Sequence, residues 1–117
     1  MSGKDSDEDI YLEQTVNVGM FGLGTVGEGV VRYLRDQYDI RKTGVKINIA
    51  RICVRDLNKP RGIVDRELLT DNPDDILKNP NIDVVVEVMG GIEPAGPIIC
   101  EALRNGKHVV TANKAFL

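Results

Sequence analysis

The chain has 117 residues, of which 42% are hydrophobic and 28% charged, a composition that fits one soluble domain with a core of its own. Aromatic residues make up only 4% and Trp is absent, which argues against a stacking platform for single-stranded nucleic acid. The net charge of −3 is concentrated in residues 1–14, which carry five acids and one base, so the rest is too nearly neutral for a DNA-binding face.

The two cysteines, Cys53 and Cys100, lie far apart and outside any C-x-x-C motif, so no zinc or redox site is predicted. No apolar run approaches membrane length, and no signal-peptide pattern is present. We therefore expect a cytoplasmic protein without membrane contact, whose thiols are free and mostly buried.

Residues 1–15 are predicted to be a flexible acidic tail, and residues 16–117 to be the folded domain. Val16–Phe21 is a short apolar run that predicts a buried strand. A helical period follows from Thr25 and ends before the segment RKTG. The predicted apolar face of this helix consists of Val26, Val30, Tyr33, Leu34 and Gln37 or Tyr38.

The second predicted strand is Val45–Asp56, and a Pro- and Gly-containing loop follows it. The segment ELLTDN fits either a short third strand or a helical turn, and NPDDILKNPN fits one or two helical turns. Ile82–Gly91 is the clearest later strand.

The segment EPAGPIICEALRNG predicts a helix that has Pro94 or Pro97 in its first turn and ends at Gly106. The segment KHVVTANKAFL predicts a last strand that runs into a loop. The predicted apolar face of the helix consists of Ile98, Ile99, Ala102 and Leu103.

Three glycines with G-x-G-x-x-G spacing join the first strand to the first helix, which is the context that gives this motif meaning. Gly22 permits the tight turn, Gly24 leaves room for a pyrophosphate, and Gly27 lets the helix pack close to the strand. Gly29 is expected to serve the same close packing. The helix N-terminus would present free N–H groups to the phosphates.

Strands that alternate with amphipathic helices predict a Rossmann-type α/β fold: a doubly wound parallel sheet in three αβα layers. The structural alternative for the glycines is a plain tight turn. We expect instead that this turn binds a dinucleotide through Gly22, Leu23, Gly24, Thr25, Val26 and Gly27.

The end of the second strand bears on the choice of cofactor, because an acid there favours NAD and an arginine favours NADP. The sequence offers both, as Arg55 and Asp56, with Lys59 nearby to add charge. Arg55 alternatively is a solvated strand end. NADP(H) is the preferred expectation, with NAD(H) tolerated.

Gly90 and Gly91 follow the fourth strand and are expected beside the first turn, where the cofactor crosses, although an ordinary loop is the alternative. Glu87, among valines, lies either at a sheet face with a partner or close to the site. Lys114, after the fifth strand, could contact substrate or cofactor or be a surface lysine. His108 lies at the opposite edge, away from the site.

Cys100 is expected to pack on the last helix rather than to act as a nucleophile.

Four segments in this order, VGMFGLGTVGEGVV, VRDLNKPRG, DVVVEVMGG and GKHVVTANKAFL, resemble the amino-terminal part of homoserine dehydrogenases from Val16 to Leu117. The resemblance implies NADPH- or NADH-dependent interconversion of L-aspartate 4-semialdehyde and L-homoserine, on the path to threonine and methionine. It places the pyrophosphate at residues 22–27, the adenosine end near Arg55, and the turn at Gly90 and Gly91 by the nicotinamide ribose. It also makes Lys114 the lysine of the family's TANK motif, close to cofactor and substrate.

Members of this family continue into a second domain that binds substrate, supplies the catalytic residues and forms a homodimer. The sequence is therefore expected to be a fragment that has no catalytic residue of its own, binds cofactor weakly and does not catalyse alone. Two other classes compete with this interpretation: a free-standing NAD(P)-sensing module, and an adaptor domain that kept the fold and lost the ligand. Within the enzymes, aspartate-semialdehyde dehydrogenase would need a nucleophilic cysteine on a later segment.

Overall fold

The structure, a computed structural model that describes residues 14–89 and 95–112, contains a five-stranded sheet flanked by helices. Every pair of neighbouring strands is parallel, and the strand order is β3-β2-β1-β4-β5. The strands are β1 (Gln14–Phe21), β2 (Val45–Cys53), β3 (Leu69–Thr70), β4 (Val84–Glu87) and β5 (His108–Thr111). The helices are α1 (Thr25–Asp36), α2 (Ile40–Thr43), α3 (Asp74–Leu77) and α4 (Ala95–Arg104), and a 3₁₀ turn (Arg66–Leu68) precedes β3.

The sheet is covered on both faces, which confirms the predicted doubly wound α/β fold. Neighbouring residues on a strand point to opposite faces, so Met20 and Phe21, both fully buried, enter two different cores. Val31 of α1 contributes to the core around Met20, and residues of α3 and α4 pack in the core around Phe21. The first core contains Met20, Leu23, Val31, Ile52, Val54 and Leu69, and the second Phe21, Cys53, Ile76, Leu77, Ile82, Val85, Ile98 and Ala102.

The buried face of α1 differs from the predicted one. Gly27 and Val31 are its buried residues, whereas Val26 and Tyr33 are each 53% exposed. Gly27 lies against the first turn and therefore sets which side of the helix faces the sheet. A residue one position away points about 100° around the helix, so Val26 turns toward solvent.

The predicted face of α4 is also wrong at one position. Ala95, Ile98 and Ala102 are its buried residues, whereas Leu103 is 57% exposed. Ile98 and Ala102 are four residues apart and form one stripe against the sheet, which leaves Leu103 on the adjoining outer side.

Several predicted boundaries shift because pairing with neighbours limits each strand. β1 begins at Gln14, inside the predicted tail, since Gln14 is in register with Val45 of β2. β4 is shorter than the predicted Ile82–Gly91, and β2 ends at Cys53 rather than Asp56. The tail residues 1–13 lie outside the described residues.

The short elements resolve the ambiguities in the sequence. The segment ELLTDN contains both alternatives, since the 3₁₀ turn leads directly into β3. The segment RKTG lies mostly in the short helix α2, which Gly44 ends in the left-handed conformation. Gly106, with φ of +77°, follows the end of α4 as predicted.

None of the helices within 14–89 and 95–112 combines the length and the apolar character needed to cross a membrane.

Candidate functional site

The turn after β1 depends on glycine for two reasons. Gly22 has φ of +104°, which favours glycine, and its N–H donates to the Cys53 carbonyl at 2.9 Å. A Cβ at Gly22 would lie 3.1 Å from Met89 Cγ and 3.2 Å from the Val88 carbonyl group. The turn is therefore clamped between the carboxyl ends of β2 and β4.

Gly24 forms the N-cap of α1 and opens onto free space. A Cβ at Gly24 would meet no atom within 4 Å, and the Gly24 carbonyl accepts the Glu28 N–H at 2.9 Å. Gly24 has no side chain with which to cap this end of the helix, and no side chain among the described residues does so. The N–H groups of the first turn of α1 are therefore available to a ligand that can accept hydrogen bonds.

Gly27 brings α1 against the turn, as the sequence predicted. A Cβ at Gly27 would lie 2.7 Å from the Gly22 carbonyl oxygen, which is closer than real Cβ atoms come. The same expectation for Gly29 is wrong: Gly29 is exposed and a Cβ there would meet nothing within 4 Å. Two residues further along, the helix has rotated this position away from the sheet.

A cleft of about 370 Å³ lies at the carboxyl edge of the sheet. The strand order reverses there, because the chain runs from β1 outward to β2 and β3 and then returns to β4 on the other side of β1. This edge, at the point where the strand order reverses, is where open α/β sheets bind ligands. Of the predicted site residues, Gly22, Leu23, Gly24 and Arg55 line the cleft, and Thr25, Val26 and Gly27 form the adjoining first turn of α1. Gly90, Gly91 and Lys114 lie outside the described residues.

Arg55 and Asp56 take different roles at the end of β2. Arg55 is exposed, lines the cleft, and forms no ion pair with any residue that the structure describes. The Asp56 carboxylate instead accepts the Asn58 N–H at 2.9 Å and closes a turn of the loop. Lys59 and Arg61 also line the cleft, so basic side chains outnumber the one acidic side chain, Asp71, among its described lining residues.

Arg61 is a cleft residue that the sequence analysis missed. Its Nη1 donates to the Leu23 carbonyl at 3.1 Å and so links the loop after β2 to the glycine turn. Its Nε is buried without a hydrogen-bond partner among the described residues. The only sequence signal is a second arginine in this loop, and its distance of 38 residues from Leu23 hides the contact.

Glu87 is fully buried at the carboxyl end of β4, beside the cleft. One carboxylate oxygen accepts the Met89 N–H at 2.8 Å, and the other accepts the Thr111 hydroxyl at 2.5 Å. Both alternatives that the sequence left open for Glu87 therefore apply, since it has hydrogen-bond partners and also lies close to the cleft.

Cys53 lines the cleft but is not suited to act as a nucleophile. Burial, with the nearby carboxylates of Asp71 and Asp75, raises the pKa of its thiol to about 11. The thiol is therefore protonated at neutral pH.

The other two groups considered in the sequence lie away from the cleft. Cys100 is exposed, so its predicted packing is wrong, because it lies on the outer side of α4. His108 begins β5 at the amino edge of the sheet, as expected. No group of three potential metal ligands occurs within residues 14–89 and 95–112.

Comparison with known proteins gives one consistent relationship. The sequence profile of the family described as "Homoserine dehydrogenase, NAD binding domain" matches residues 22–117. The homoserine dehydrogenase of Bacillus subtilis is 42% identical over 107 residues, covering 89% of this chain and 25% of that protein. The homoserine dehydrogenase of Synechocystis is 43% identical over 104 residues, covering 88% and 24%.

The crystal structure of a homoserine dehydrogenase from Thiobacillus denitrificans is similar to this chain, with a TM-score of 0.80 and 45% identity. The match covers 86% of this chain and 24% of that one. The chain thus spans about a quarter of the length of the relatives that it matches.

Proposed function

The chain belongs to the family of the homoserine dehydrogenase NAD-binding domain, and from that premise we propose that it is the cofactor-binding part of such an enzyme. The enzyme would interconvert L-aspartate 4-semialdehyde and L-homoserine. The observation that carries the proposal is the glycine turn, which opens onto a cleft at the point where the strand order reverses.

The described residues fit a nicotinamide dinucleotide. Gly24 leaves open space at the end of α1, which no described side chain caps, so a diphosphate can approach the main-chain N–H groups closely. The positive end of the helix dipole adds to the attraction. The nearby Arg55 and Lys59 make the same side of the cleft attractive to further negative charge.

The bound dinucleotide supplies the hydride for the reaction. The glycine turn binds and orients the dinucleotide, and Val88 and Met89 form the wall of the cleft on the β4 side. Lys114 is proposed to contact cofactor or substrate. Substrate binding, the remaining catalytic groups and the homodimer contacts are assigned to parts of the full-length enzyme beyond this domain.

We propose a preference for NADP(H), with NAD(H) also bound. Arg55 is exposed at the end of β2 without an ion-pair partner among the described residues, so its guanidinium is available to a 2′-phosphate. Asp56, the group that would favour NAD, is not among the residues that line the cleft, and one of its carboxylate oxygens accepts the Asn58 N–H within the loop. This arrangement supports the arginine as the group that discriminates.

Calorimetric titration of the chain with NADPH, NADH and ATP tests the proposed function. We expect both dinucleotides to bind and ATP to bind more weakly, because ATP lacks the half of the ligand that would lie on the β4 side. A folded chain that binds neither dinucleotide, or binds ATP equally well, would contradict the proposal and favour the adaptor alternative.

The substitution Arg55→Ala tests the cofactor preference. We expect NADPH affinity to fall about tenfold, with a much smaller change for NADH, because one charge-assisted hydrogen bond to phosphate is lost. Arg55→Lys is the matched control, since it keeps the positive charge and should retain part of the affinity for NADPH. An equal loss for both dinucleotides would show that Arg55 does not bind the 2′-phosphate.

A further inference from the structure

Glu87 is a charged residue at a buried strand position where packing alone would favour an apolar side chain. It follows Val84, Val85 and Val86 in β4 and is 0% exposed. Burying a carboxylate costs free energy unless hydrogen bonds replace the lost water. The valines before it show what the strand requires for packing, so the carboxylate calls for another explanation.

The hydrogen bonds of Glu87 join the ends of two neighbouring strands. In register, Glu87 lies beside Phe21 of β1 and Thr111 of β5. Its side chain accepts from the Thr111 hydroxyl and from the Met89 N–H just beyond β4. Its carbonyl accepts the Ala112 N–H at 3.2 Å. Glu87 thus sets the course of the chain as it leaves both β4 and β5.

The segment held by Glu87 forms part of the cleft. Val88 and Met89 line it, and the same two residues lie against Gly22 of the glycine turn. Arg55 and Lys59 line the cleft from the β2 side instead. A dinucleotide that crosses the point where the strand order reverses places one nucleotide on each side. The β4 side is then the side of the nicotinamide nucleotide.

We propose that Glu87 is a positioning residue that holds the β4 side of the cleft in the shape that accepts the nicotinamide nucleotide. This inference rests on the dinucleotide binding proposed above. Glu87 acts through Met89 and Thr111 and does not itself touch the ligand. Its hydrogen bonds, rather than its charge, perform this role.

Two ligands separate this role from general support of the fold. NADH contains both nucleotides, whereas ADP contains only the adenosine and the diphosphate. Glu87→Ala and Glu87→Met remove the hydrogen bonds that Glu87 accepts from the Met89 N–H and the Thr111 hydroxyl. We expect NADH affinity to fall about tenfold and ADP affinity to change less than about twofold.

Glu87→Gln should restore most of the NADH affinity. Its amide oxygen can accept the Met89 N–H, and its NH₂ group can donate to the Thr111 hydroxyl oxygen. If Glu87→Gln binds NADH as poorly as Glu87→Ala, the charge matters and the positioning role is wrong.

Lys107 provides a matched control at the opposite edge of the same strands. It is also buried, and its Nζ donates to the carbonyls of Asn79 at 2.6 Å and Ile82 at 2.8 Å, beside the amino ends of β4 and β5. Lys107→Met should lower the melting temperature and leave the ratio of NADH to ADP affinity unchanged. A change in that ratio would show that any damage to β4 and β5 affects the site.

Hydrogen exchange of the unmodified chain adds a measurement that needs no variant. NADH should slow exchange of the Met89 amide more than ADP does, because only the longer ligand reaches the β4 side and further stabilises it against opening. Equal protection by both ligands, or equal losses of NADH and ADP affinity in Glu87→Ala, would overturn the inference. If the unmodified chain does not bind NADH, the proposed function fails instead.

Discussion

Gly27 and Gly29 show how differently two neighbouring glycines can be used. Both lie in α1, and the sequence analysis assigned close packing to both. A Cβ at Gly27 would collide with the Gly22 carbonyl oxygen at 2.7 Å, whereas the space around Gly29 is open. The contact, and not the residue type, therefore explains why glycine is needed at the first position.

Alanine substitutions at these two positions should have opposite effects on stability. Gly27→Ala should lower the free energy of unfolding by about 1–3 kcal/mol, because the turn or the helix must move to admit the methyl group. Gly29→Ala should raise it by about 0.5–1 kcal/mol, because alanine restricts the unfolded chain and favours helix. Urea unfolding of both variants measures the difference. A stabilising Gly27→Ala would mean that the turn is not tightly packed.

Arg61 and Glu87 mark the limit of sequence analysis for single residues. Arg61 reaches Leu23 across 38 positions, and Glu87 reaches Thr111 across 24. The sequence identified Glu87 as unusual because it interrupts a run of valines, but Arg61 carries no such contrast with its surroundings. Contacts of this kind depend on how loops and strands are placed in space.

The two long helices, α1 and α4, lie where the sequence predicts them, but parts of their predicted buried faces are wrong. The predicted period of α1 included Val26 and Tyr33, which are exposed, and that of α4 included Leu103. A hydrophobic pattern predicts that a helix forms and is amphipathic, yet a few apolar residues on its flanks blur the exact direction of the buried face. Close contact at Gly27 sets that direction in α1.

Asp39 caps the short helix α2 and makes its stability depend on pH. The Arg41 backbone N–H donates to the Asp39 carboxylate at 2.9 Å and holds the pKa of that carboxyl below its ordinary value of 3.8. The folded state therefore binds the proton less readily than the unfolded state. The resulting stabilisation is fully present above 3.8 and is lost as pH falls through the lower folded-state pKa.

Asp39→Ala should therefore be less stable than the unmodified chain at neutral pH, and the difference should shrink on acidification below the ordinary pKa. Asp39→Asn is the control, because its amide oxygen can still accept the Arg41 N–H but does not titrate. The difference between the Asn and Ala variants should be independent of pH. Denaturant unfolding over an acidic pH series measures both differences, and a constant difference for Asp39 itself would show that its charge contributes nothing.

The order of the strands gives the molecule a protected centre and two edges. β1 lies between β2 and β4, and the fully buried Met20, Phe21 and Val85 belong to β1 and β4. β3 and β5 lie at the edges, and Val110 of β5 is 57% exposed. Opening β1 requires breaking pairing on both sides, whereas an edge strand can open locally.

Hydrogen exchange should follow this order in the unliganded chain. We expect the hydrogen-bonded amides of β1 to exchange at least about tenfold more slowly than those of β3 and β5. A tenfold difference corresponds to about 1.4 kcal/mol in the free energy of opening, and opening β1 breaks pairing with two strands rather than one. Mass spectrometry or NMR of exchanging samples provides the measurement. Uniform exchange across all five strands would show that the sheet opens only as a unit.

The sequence alone was enough to predict the α/β fold, the glycine turn with its helix, and membership of the family. These features depend on residues that lie close together in the chain, so the periodicity of apolar residues and the spacing of glycines are enough to predict them. The folded chain was needed to show which glycine is packed, which helix faces are buried, and that Arg61 and Glu87 border the cleft. Such features depend on distances between residues far apart in sequence, which are set only when the helices and strands pack together.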